Sequence, residues 1–177
     1  MTRTPVSRED MLKRTAFFDK LIPSSRPLVD AVLPQFHREI FNIIGGGVTE
    51  DPTMHIPIRD VDGFHLSIVK AEPGKGTGLH DHTTVEVFMP LRGSWAIIWG
   101  DEGENELVLN EWDVTSVPPH VNRGFRNVGK DTGYLLVVVG GTNPGQVVWE
   151  PNVMKAVREK GYDLDERGKI VDGAPKA

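Results

Sequence analysis

The sequence predicts a mostly β fold, a sandwich or barrel with helices only at its two ends. Three observations carry this. The chain holds 19 glycines and 13 prolines in 177 residues, about half again the usual combined share of about 12%. Its middle is a series of short apolar runs separated by Gly, Pro and Asn clusters. Long stretches of helical periodicity are absent from that middle.

Residues 1–44 read as an N-terminal helical arm. Ser7 followed by Asp10 resembles a capping box. Met11, Leu12, Ala16, Phe17, Leu21 and Ile22 recur near helical spacing until Pro23 stops the pattern. A second short helical segment, Leu28 to Leu33, lies between Pro27 and Pro34. The arm is expected to cover an open end of the β unit.

That unit spans residues 45–150. Its expected strands are Met54–Ile58, Gly63–Ala71, Thr84–Arg92, Ser94–Gly100, Glu106–Asn110, Asp113–Val117, Arg123–Val128, Gly133–Gly140 and Gln146–Trp149. Residues 134–139 are apolar at every position, so that strand needs cover on both faces, from a second sheet or a second subunit. Residues 151–177 form the last segment. Pro151 opens a helix running to about Lys160, Gly161 supplies its C-terminal cap, and the charged tail 162–177 is expected to fray.

Charge and composition exclude several classes. A formal charge of −5 and a pI near 5.7 disfavour a nucleic-acid partner. The chain has no cysteine, hence no disulfide, thiol nucleophile or Cys-held zinc. Its longest apolar run, Tyr134 to Val139, is far short of a membrane span. The opening MTRTPVSREDMLKR is basic without an apolar core behind it. A cytoplasmic protein with no membrane partner is expected.

The chemistry concentrates between Gly74 and Gly93. His80, His82 and Glu86 stand at even spacing, so on one strand they would share a face. Two imidazoles and a carboxylate converging on a metal with open positions suit Fe(II), and Mn, Ni, Zn or Cu also take such donors. The plainer alternative is a solvated His-Asp-His turn beside an unrelated glutamate. The five fixed positions Gly74, His80, His82, Glu86 and Gly93 coincide by chance on the order of once in ten thousand, taken from the chain's own residue frequencies.

At these residues the sequence resembles the cupin family. Gly74–Gly93 satisfies that family's first motif, G-x5-H-x-H-x3-E-x6-G. The second motif, P-x-G-x2-H-x3-N, corresponds to the stretch Pro118–Asn127. Pro118 and Asn127 fit it, whereas His120 stands for the glycine and Arg123 for the metal-binding histidine. The resemblance covers about residues 45–150 and implies a jelly-roll β-barrel with the site inside, and a homodimer. It implies three histidines and one glutamate on the metal, of which this chain supplies His80, His82 and Glu86. Arginine stays protonated and cannot coordinate. Three arrangements remain: a metal on three protein ligands, a site that has lost its metal, or His120 as the replacement ligand.

Parity supplies the remaining expectations. Phe88 shares a face with Glu86, and Phe125 and Asn127 share one with Arg123, so these three residues should line a substrate pocket. Trp95, Ile97 and Trp99 read as core or subunit interface. His65 lies across the strand from apolar Phe64, Leu66 and Ile68 and reads as a satisfied or solvent-facing histidine. His37 and His55 carry no assigned chemistry. The functional expectation is a cupin-type metalloprotein acting on a small organic anion, in its enzyme form a non-haem Fe(II) dioxygenase. Arg123 would neutralise the substrate's carboxylate or enolate. A metal-dependent isomerase or lyase fits the same ligands, and a non-catalytic, metal-free binding or regulatory protein is the rival.

Overall fold

The computed structural model describes residues 3–173. Two five-stranded antiparallel sheets hold the fold together. The first has strand order β1-β2-β9-β4-β7, from Glu39–Ile44, Phe64–Ala71, Gly133–Gly140, Glu86–Arg92 and Thr115–Val117. The second runs β10-β3-β8-β5-β6, from Val148–Trp149, His80–Asp81, Arg123–Asn127, Trp95–Trp99 and Asn105–Leu109. Their inner faces meet in one core, where Val69, Phe88 and Leu135 of the first sheet join Trp95, Ile97 and Phe125 of the second. Phe125 packs edge-on against Phe88 and against Trp95, the favoured arrangement of aromatic pairs.

Alternation along β4 shows why the sequence makes this architecture. Glu86, Phe88 and Pro90 are buried, while Val87, Met89 and Leu91 are only half-covered. Pairing of β4 with β7 ends at Phe88, before Pro90, which has no N–H to donate. Leu135, Val137 and Val139 of β9 are buried between Tyr134, Leu136 and Val138, which remain half-exposed. The strand's two apolar faces therefore differ: one faces the second sheet, and the other lies on the outside of the molecule.

The chain departs from expectation in four places. First, the N-terminal helix α1 covers only Arg8–Lys13 and buries no residue. Ser7 caps it as expected, accepting from the Asp10 N–H at 3.0 Å. The chain then turns so that Phe18 packs on Phe41, centroids 5.1 Å apart, instead of continuing a helix with nothing to bury against. Second, the β unit begins inside the expected arm, because β1 pairs with β2 from Glu39 onward. Third, Met54–Ile58 is not a strand; only Ile58 makes an isolated bridge, to Ile44. Fourth, the tail does not fray at its start. After helix α2, Pro151–Glu159, Tyr162–Leu164 (β11) and Ile170–Asp172 (β12) form a hairpin. Asp165 ties its turn by accepting from the N–H groups of Arg167 and Lys169. Residues 174–177 lie outside the described residues.

Candidate metal centre

His80 and Glu86 do not sit on one strand. His80 begins β3 of the second sheet and Glu86 begins β4 of the first, and the chain crosses between sheets at 82–85. Even spacing brings the three residues together because the crossing delivers each of them into the same cavity. Their ligand atoms lie within 4.8 Å of one another, and all three side chains are buried.

The two histidines are held differently. His80 donates Nδ1–H to the Gly78 carbonyl at 2.8 Å, leaving its Nε2 lone pair free, the usual way a protein orients an imidazole toward a metal. Its ring packs on Trp149, centroids 5.2 Å apart. His82 has both ring nitrogens buried without a hydrogen-bond partner, an arrangement costing about 1–3 kcal/mol per unmet group. Burial holds His80 neutral, lowering its pKa to about 4, and lowers that of His82 to about 2. The 3.5 Å approach of His82 Nε2 to Glu86 Oε2 is therefore not an ion pair. Burial raises the Glu86 pKa, against the opposing pull of Arg123. Two neutral imidazoles with free lone pairs and a carboxylate are the donor set a divalent ion takes, so these residues fit one.

Arg123 occupies the place beside them. It pairs directly opposite His80 across β3 and β8, and it is fully buried. Its Nε donates to Glu86 Oε2 at 3.0 Å, and Nη1 donates to Asp81 Oδ1 at 3.3 Å and to the Val121 carbonyl at 2.9 Å. The sequence assigns this guanidinium to a substrate anion; in the structure its Nε and Nη1 are held by protein groups. His120 is excluded as a ligand. It sits at φ 59°, its side chain is 69% exposed, and its nearest carboxylate is Asp81 at 3.6 Å. The family motif places a glycine here, and the backbone takes the left-handed conformation that glycine favours.

Two expected pocket residues have other roles. Asn127 spends its amide on the Ala71 and Asp131 carbonyls and accepts from the Gly129 N–H, pinning loops. Phe88 is 0% exposed and packs in the core, outside the cavity wall. Phe125 does line the cavity, a space of about 50 Å³.

Three residues to which the sequence assigns no part in the site also bear on it. His65 lines the cavity with His80, His82 and Glu86. Asp30 and Arg38 form a fully buried two-pronged pair, 3.0 and 2.9 Å. Asp30 Oδ2 also accepts from Thr77 Oγ1 and the Gly78 N–H, fixing the segment whose carbonyl orients His80. The available signal was weak: a charged residue on each side of Pro34, in an arm otherwise read as a cover.

Searches against family models and against curated proteins found no match. Solved structures did match. The polyketide cyclase RemF from Streptomyces resistomycificus aligns at 15% identity and TM-score 0.58, over 80% of this chain and 92% of its own. The cupin domain of Schizosaccharomyces pombe Cnp3 aligns at 10% identity and TM-score 0.51, over 72% of this chain and 73% of its own. The fold is the cupin fold. Within it, the two sheets supply the cupin-like motif residues from opposite sides of the cavity. The one departure at the site's centre is the Arg123 guanidinium.

Proposed function

We propose that the chain is a metal-dependent enzyme acting on a small organic acid or enolate, with His80, His82 and Glu86 holding a divalent ion. The observation that carries this reading is His82: a neutral imidazole buried with both nitrogens unmet, beside a free His80 lone pair and a carboxylate. When bound, the ion supplies Lewis acidity to a substrate oxygen and, if it is Fe(II), redox chemistry of the dioxygenase type. The protein's own residues do the rest. Arg123 fixes Glu86 and balances its charge, and is itself held by Asp81. Trp149 and Phe125 exclude water. With a dication in place, the Glu86, Asp81 and Arg123 charges leave one positive charge over, which favours a monoanionic ligand.

The rival is a metal-free cavity that binds a small molecule without chemistry. It draws support from the Arg123–Glu86 contact, which takes up one carboxylate oxygen and places a cation beside the site. Elemental analysis of protein purified without an affinity tag separates the two. Near-stoichiometric divalent metal supports the enzyme, and oxygen uptake with added organic acids supports its dioxygenase form. A metal-free protein that stays metal-free after dialysis against Fe(II), Mn(II) and Zn(II) overturns it. Arg123→His should raise metal affinity at least tenfold by adding an imidazole opposite His80.

A further inference from the structure

We infer that His65 is a ligand-contacting residue of the cavity, presenting its Nε2–H to an acceptor oxygen of the small molecule bound there. The inference rests on the reading of this cavity as the substrate site and assigns a donor within it.

Strand register places His65 correctly. His65 pairs with Val139, and so does Glu86 from the other side. His65, Val139 and Glu86 therefore form one row across three neighbouring strands. Residues directly opposite in a sheet point to the same face, so both polar side chains turn inward. Two strand spacings separate their Cα atoms by about 9–10 Å, which leaves room for a small molecule between the imidazole and the carboxylate.

The tautomer follows from the loop that holds the ring. The Gly47 N–H donates to His65 Nδ1 at 3.2 Å. Nδ1 is thus an acceptor, and in the neutral ring the proton is on Nε2. Nε2 is buried and has no hydrogen-bond partner. It is also a poor candidate for a metal ligand, since its lone pair is occupied by that proton. The loop is shaped around the ring. A Cβ at Gly45, where φ is 63°, would fall 2.1 Å from Nδ1, so any side chain at this position would displace the imidazole.

A buried N–H without an acceptor selects a ligand that brings one. The two arginines near the cavity are already paired, Arg38 with Asp30 and Arg123 with Glu86 and Asp81. Beside the Ser67 hydroxyl, which also lines the cavity, the buried and unmet His65 N–H is left as a donor for an oxygen of a carboxylate, enolate or carbonyl group. A space of about 50 Å³ admits the head of such a molecule, well below the several hundred Å³ of a pocket for a drug-sized ligand.

The test uses cobalt(II) and formate as probes. Cobalt(II) is titrated into metal-free protein by visible absorbance, and formate is then titrated into the cobalt form. His65→Phe should leave cobalt affinity within twofold and weaken formate about tenfold. His65→Gln, whose amide N–H can replace the donor, should recover most of that loss. On metal-free protein, 15N-labelled histidine spectra should show His65 protonated at Nε2, with that proton shifting downfield on adding formate. A proton on Nδ1, an unchanged formate affinity in His65→Phe, or a loss of cobalt binding in that variant overturns the inference. If cobalt fails to bind the wild-type protein, the metal reading falls. The formate-dependent shift of the His65 proton then decides the donor role by itself, and its absence sinks it.

Discussion

Over residues 64–68 the two faces of β2 carry opposite chemistry, and in the opposite sense to first expectation. Phe64, Leu66 and Ile68 form the apolar face, which lies outside the sheet beside half-exposed Leu136 and Val138. His65 and Ser67 belong to the inward face and line the cavity. An apolar row does not by itself mark the interior, because a sheet covered on its outside also needs one. Parity groups residues onto faces reliably; which face is the inside depends on the partner strands.

The largest expected effect comes from the inward face. Glu86→Ala should destabilise the protein by up to about 3–5 kcal/mol, because it takes from the buried Arg123 guanidinium the nearer of its two carboxylates, and it should abolish metal binding. His82→Ala should also abolish metal binding yet destabilise far less, since the His82 side chain makes no hydrogen bond. Urea denaturation of both variants, with elemental analysis, checks the pair. Equal losses of stability would break the distinction between a paired and an unpaired buried group.

Adjacent positions on β4 sharpen the comparison of faces. Phe88→Ala should cost about 3–5 kcal/mol, while Met89→Ala on the half-exposed face should cost about 1 kcal/mol. Met89→Lys then asks what covers the outer face. If a second copy covers it, sedimentation should show a wild-type dimer and a Met89→Lys monomer. A wild-type monomer would leave that apolar face to solvent.

A third prediction concerns pH. Glu50 accepts from the Val29 N–H and from Trp149 Nε1, and burial raises its pKa to about 7. Because the folded state holds this proton longer than the unfolded chain does, Glu50 stabilises least at high pH. Its contribution should fall between about pH 4.5 and pH 7, by no more than about 3 kcal/mol. Glu50→Gln should lack that slope when unfolding is compared across the range. The smallest effect is His120→Gly. Relieving a non-glycine residue at φ 59° should add about 1 kcal/mol and leave metal content unchanged.

Most of the fold was legible because alternation and turn residues are local signals. The motif also brought out His80, His82 and Glu86, although the reason offered, one face of one strand, was not the one the chain uses. What escaped was non-local. The tautomer of His65 depends on a loop 18 residues upstream. The fate of Arg123 depends on Glu86, 37 residues away, whose carboxylate claimed the guanidinium before any ligand. Asn127 and Phe88 had the right parity, but parity cannot tell a cavity wall from the packed core next to it.

The Asp30 carboxylate reaches across 47 and 48 residues to Thr77 and Gly78, and this sets the order in which the molecule can be completed. Closing so long a loop is slow compared with forming the hairpins on either side of it. Until that closure, the Gly78 carbonyl that aims His80 has no fixed position. The His80, His82 and Glu86 cluster should therefore be completed only once residues 28–38 dock, and be loosened first when they detach. Metal uptake by a refolding chain would time the docking of that segment.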